Sequence, residues 1–72
     1  MTQIIIKCIA GKPWLKSLEL PVTVEAKHAY DDCYDVFAEE FRKFGIEDRM
    51  AESNDGKGLL NSFYDARQYE LA

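Results

Sequence analysis

A small single α+β domain is what these 72 residues predict: an N-terminal antiparallel β-hairpin packed on one long amphipathic helix, then a short helical C-terminal region. Three observations lead there. Residues 3–10 (QIIIKCIA) are dense in β-branched side chains, and residues 18–26 (LELPVTVEA) alternate apolar with polar. Between residues 29 and 44 (AYDDCYDVFAEEFRKF), aromatic residues recur at helical intervals.

In the first predicted strand Ile4, Ile6, Cys8 and Ala10 face one way, with Gln3, Ile5, Lys7 and Ile9 opposite. In the second, Leu18, Leu20, Val22, Val24 and Ala26 face inward, and Pro21, which lacks an N–H, places its part of the strand at an edge or a bulge. The intervening GKPWLKS makes an antiparallel hairpin the natural connection, with Trp14 near its tip. In the predicted helix Tyr30, Cys33, Tyr34, Phe37, Phe41 and Phe44 form one apolar stripe, and Asp31, Asp35 and Glu39 recur every four residues on the other side, with Asp32 and Glu40 beside them. Asp31 and Asp32 favour the first turn and Arg42 and Lys43 the last, and Gly45 is a residue that can end a helix in the left-handed conformation. Residues 46–52 read as a helical turn and residues 53–58 as a loop. For residues 59–71, apolar spacings of three and four favour a helix; the alternative is two strands flanking a turn at Asp65-Ala66-Arg67.

The opening Gln3-Ile4-Ile5-Ile6-Lys7, followed by Gly11-Lys12 and an amphipathic segment, resembles the first half of a ubiquitin-like β-grasp domain over about 40 residues. That resemblance implies a C-terminal strand or hairpin. The chain's end, Gln68-Tyr69-Glu70-Leu71-Ala72, lacks the terminal Gly-Gly of conjugated modifiers, so conjugation does not follow.

An apolar fraction of 47% with two Pro and four Gly argues for a folded chain. The longest aliphatic run, Ile4 to Ile6, is far too short to span a bilayer, and no charged segment followed by an apolar one opens the chain; a cytoplasmic protein is expected. Cys8 and Cys33 read as buried thiols rather than a disulfide, and two separated cysteines with one histidine do not make a structural zinc site. No metal and no cofactor is expected. The 52–56 stretch ESNDG lacks the alternating oxygen ligands of a calcium loop, and Lys57 between two glycines is not a phosphate-binding loop.

A non-enzymatic protein is expected, because there is no nucleophile motif and His28 is the one side chain that titrates near neutrality unaided. Net charge is −4, composed of +2 over residues 1–30 and −6 over residues 31–72. Direct nucleic-acid binding is disfavoured by that balance, although Lys7, Lys12 and Lys16 flank Trp14. The function expected is protein binding through an acidic helical face, Asp31, Asp32, Asp35, Glu39 and Glu40, with Trp14 as an anchor, presented to a basic surface of another protein. Carboxylates spaced along a rigid helix imitate a phosphate backbone, the mode of short acidic phage inhibitors of the anti-restriction and anti-CRISPR type. The alternative is a homo-oligomerising structural or accessory subunit that pairs through Ile5, Ile9 and Trp14 with a copy of itself or with a larger assembly.

Overall fold

In a computed structural model that describes residues 1–46 and 56–72, five antiparallel strands dominate the regular structure. They are β1 (Thr2–Ile6), β2 (Val22–Tyr30), β3 (Cys33–Phe37), β4 (Leu60–Phe63) and β5 (Tyr69–Leu71), arranged in the order β4-β3-β2-β1-β5. A single turn of 3-10 helix, Pro13–Leu15, lies in the β1–β2 connection, and one turn of α-helix, α1 (Glu39–Arg42), follows β3.

This architecture overturns the expected α+β fold. No long helix runs through residues 29–44. Their first part completes β2, Asp31 and Asp32 make a tight turn, and Cys33–Phe37 returns as β3. Asp31 takes φ 40°, a conformation that asparagine and aspartate tolerate better than most residues, and His28 Nε2 lies 2.7 Å from its carbonyl oxygen. The residues that remain are β formers: Tyr34 and Val36 alternate with Asp35 and Phe37 across the pleat. The C-terminal segment is not a helix either. Nor do its two strands form a hairpin with each other, since β4 pairs with β3 and β5 with β1, at opposite ends of the sheet.

β2 is long enough to serve two partners. Its first half pairs with β1 in the register Ile4↔Val24, its second half pairs with β3 in the register His28↔Tyr34, and a bulge falls between His28 and Tyr30. β2 is therefore shared by two paired halves, β5-β1-β2 and β2-β3-β4. Tyr69 on the far edge meets the Tyr34 ring at 5.2 Å and donates its hydroxyl to the Asp32 carbonyl at 2.6 Å. Ile4, Ile6, Val24, Ala26, Val36 and Phe63 fill the interior from the strands, and Leu15, Leu18, Phe41 and Ile46 close it from the connections.

The aromatic stripe is divided by this arrangement. Phe41 and Cys33 are buried and Tyr34 and Phe37 half-buried, whereas Tyr30 and Phe44 are exposed. Cys33 is a buried thiol; Cys8, expected in the interior, is exposed because β1 ends at Ile6. Gly45 does end α1, at φ 83°, with the Ile46 N–H returning to the Phe41 carbonyl at 3.2 Å. The helical turn expected from residue 46 and most of the expected 53–58 loop lie outside the described residues.

Candidate functional site

Backbone direction identifies the candidate site. The Lys7 N–H donates to the Gln68 carbonyl and the Ala72 N–H to the Gln3 carbonyl, so the odd-numbered residues of β1 point to β5 and the even-numbered ones to β2. Along β2 the alternation then turns Val22, Val24 and Ala26 to β1, and Thr23 and Glu25 away from it. On that outward side β3 begins to pair at Lys27, opposite Asp35, and makes no pairing with Glu25: Phe37, which the register sets opposite it, pairs with Leu60 of β4, and the chain leaves β3 at Ala38.

α1 fills the first vacated position. The Glu25 N–H donates to Glu40 Oε1 at 3.0 Å, and Lys43 Nζ holds the same carboxylate at 3.1 and 3.2 Å. Glu40 is only 8% exposed, so an anion is buried with two donors and makes with its side chain the bond that a neighbouring strand would make with its backbone. The next position has no such plug: among the described residues, none donates to or accepts from the outward N–H and C=O of Thr23.

One residue earlier in the chain, Val22 lines a groove of about 490 Å³ together with Ser17, Glu19, Leu20, Pro21 and Phe44. Leu20 and Phe44 are exposed large apolar side chains, and Glu19 is the one charged residue in the lining. Trp14, also partly exposed, packs edge-on against Phe41 at 5.7 Å and so anchors the 3-10 turn to α1. Backbone donor and acceptor, an apolar wall on each side and one carboxylate make a surface equipped to bind an extended chain.

The carboxylates expected to form one row are dispersed. Asp31 and Asp32 are exposed in the β2–β3 turn; Asp35 lies on the outer face of β3, accepting from Ser62 Oγ at 2.6 Å with Cys33 Sγ at 3.6 Å. Glu39 and Glu40 share α1, and Glu40 faces inward. Of the net −4, the described residues carry −1 (eight bases against nine acids), and residues 47–55 carry −3. No continuous acidic helical face therefore exists for a partner to read. The self-pairing face is likewise divided, because Ile9 packs against the core and Trp14 against Phe41.

Other clusters are held in internal contacts. His28 stacks on Tyr34 at 4.8 Å. Burial pushes the Cys33 thiol above its ordinary range, opposite to what a nucleophile needs. Exposed Tyr30 is also held above the usual tyrosine range, by a hydrogen bond with the Tyr64 hydroxyl. Among the described residues no group of three His, Cys, Asp or Glu side chains is placed to hold a metal ion, and no helix is long and apolar enough to cross a membrane.

Comparison with family models, curated proteins and solved structures gives no match for this chain. Leu20, Glu19, Thr23 and Phe44 were not legible as a site from sequence. Pro21, which marks an interrupted edge, is the one signal that pointed to this stretch.

Proposed function

We propose that this chain is a small non-enzymatic protein-binding module that takes an extended segment of a partner protein alongside β2, in the groove between Leu20 and Phe44. The observation that carries this reading is that, among the described residues, nothing pairs with the outward backbone of Thr23, while exposed Leu20 and Phe44 line a groove with its chain neighbour Val22. An extended peptide gains main-chain hydrogen bonds from such an edge and specificity from the pockets beside it. Exposed Leu and Phe at a groove have the composition of an interface core rather than of an ordinary polar surface. The carboxylates contribute locally, through Glu19 and Glu40, and not as a phosphate-like row.

The test is site-specific photocrosslinking in the source cell, with a benzophenone amino acid placed at Leu20 and, as a control, at Lys27 on the second half of β2. A partner joined through position 20, and lost when Phe44→Ser is added, supports the reading. Crosslinking of equal yield from both positions, or yield indifferent to Phe44→Ser, sinks it. A product of twice the chain mass would identify a second copy as the occupant and favour self-association.

A further inference from the structure

We infer that the segment accepted by this groove is short, extended and basic, with a Lys or Arg side chain opposite Glu19; the inference rests on the reading under Proposed function and specifies its partner. The argument begins with the edge itself. Thr23 offers one N–H and one C=O, and Glu25 offers its outward C=O, but the Glu25 N–H is already taken by Glu40. At the other end Pro21 has no N–H to give. Among the described residues, this edge consequently presents more acceptors than donors.

Charge in the lining has the same sign. Glu19 is its only ionised side chain, and Lys43, the residue before Phe44, is paired with Glu40 at 3.1 Å. A partner strand therefore meets outward carbonyls and a carboxylate, which its own N–H groups and a Lys or Arg side chain complement and an acidic side chain does not. Glu40 also fixes where pairing stops. A strand that pairs with Thr23 finds the acceptor position opposite Glu25 filled, so the paired stretch is about three to five residues, or roughly 10–17 Å of extended chain.

The experiment is selection of a phage-displayed library of random heptapeptides on the intact protein, on Glu19→Lys and on Leu20→Ser/Phe44→Ser. On the unmodified protein, recovered peptides should carry Lys or Arg about two- to fivefold above the unselected library, the range of an exposed ion pair. On Glu19→Lys the enrichment should pass to Asp and Glu, and both preferences should fade at high salt. A recovered synthetic peptide should slow hydrogen exchange of the Thr23 amide and leave that of Lys27 unchanged. Peptides that depend on Leu20 and Phe44 but show no charge preference would overturn this inference and leave the docking reading standing. If nothing is enriched, or the same peptides are recovered on Leu20→Ser/Phe44→Ser, both fail.

Discussion

Glu40 is the residue on which the placement of α1 against β2 can be tested most sharply. Replacing it with Ala removes the acceptor of the Glu25 N–H, a hydrogen bond to a charged group whose loss costs about 1.5–3 kcal/mol. The bond to Lys43 adds less, about 0.2–1 kcal/mol, because the lysine side chain is 63% exposed and screened by solvent. Glu40→Ala should therefore destabilise the fold by about 2–3 kcal/mol, a large share of the roughly 4–11 kcal/mol that a domain of this size has in total. At about 4–8 °C per kcal/mol the melting temperature should fall by roughly 10–20 °C. Glu40→Gln keeps an oxygen for the Glu25 N–H and should cost about 1 kcal/mol, with Glu39→Ala within about 0.5 kcal/mol as the control. The assay is urea denaturation followed by Trp14 fluorescence and by circular dichroism, with hydrogen exchange at the Glu25 amide as the local readout. If Glu40→Ala costs no more than Glu39→Ala, or leaves Glu25 exchange unchanged, the carboxylate does not plug the strand and the geometry of the site is wrong.

Phe41 and Phe44 should separate in the same assay: Phe41, 0% exposed, should cost about 3–5 kcal/mol when cut to Ala, and Phe44, 46% exposed, under about 1 kcal/mol. Equal costs would restore the continuous helical stripe. Alkaline pH should destabilise the fold, because burial raises the Cys33 thiol above its ordinary 9.0, and burial with the nearby Asp32 charge raises the Tyr69 phenol above 10.0. Both groups favour their neutral forms in the folded chain, so their stabilisation is complete below those values and is lost as pH rises through the raised ones. Lys12 has the opposite sign: burial lowers it from 10.5, so the folded chain releases its proton first and gains stability as pH rises through that lowered value. Urea midpoints measured from pH 8 to 11 should therefore fall more steeply in Lys12→Met than in the parent, and begin to fall later in Cys33→Ala. Lys12→Ala should also cost about 1–2 kcal/mol and increase light scattering, since Lys12 Nζ caps the Ser62 carbonyl at 2.7 Å and lies 4.5 Å from the centre of the Phe63 ring. Unchanged scattering would mean that the β4 edge is protected in another way.

The hairpin of β1 and β2 was legible because Ile4, Ile6, Val24 and Ala26 fall on alternate positions and that alternation is local. Its boundaries were not: the chain leaves β1 early, into a turn where Ala10 and Gly11 both take positive φ, and β2 starts only after Pro21. The helix reading failed for an arithmetical reason. Cys33, Phe37 and Phe41 are four apart, as are Tyr30 and Tyr34, and four is one turn of helix and also two periods of strand. What decided between them was the Asp31-Asp32 turn together with the β-forming character of Tyr34, Val36 and Phe37, which tertiary pairing rewards and helix-spacing counts ignore. Gly45 kept its stop signal even though only one turn of helix precedes it. In the C-terminal segment the Asp65 turn is real, with the Arg67 N–H bonded to Asp65 Oδ1 at 2.9 Å, but no local pattern could show that the strands on its two sides join opposite ends of the sheet.

That strand order also explains why the outward side of Thr23 is unpaired among the described residues. A sheet ordered β4-β3-β2-β1-β5 leaves outward backbone groups on β4, on β5 and on the half of β2 that β3 does not reach, and each is a template for unwanted pairing. The chain covers some of them with side chains from elsewhere. Lys12 takes the Ser62 carbonyl on β4, Gln68 Oε1 accepts the Tyr64 N–H at the end of that edge, and Glu40 takes the Glu25 N–H on β2. β5 is protected by brevity, with three residues. Leu20 and Phe44, which line the groove with Val22, the chain neighbour of Thr23, are exposed and lose solvent-exposed apolar area when a strand arrives. Among the described residues, polar side chains meet three of the outward backbone groups, and the stretch at Thr23 is one of those left without such a plug, next in the chain to a groove that a docked strand could occupy.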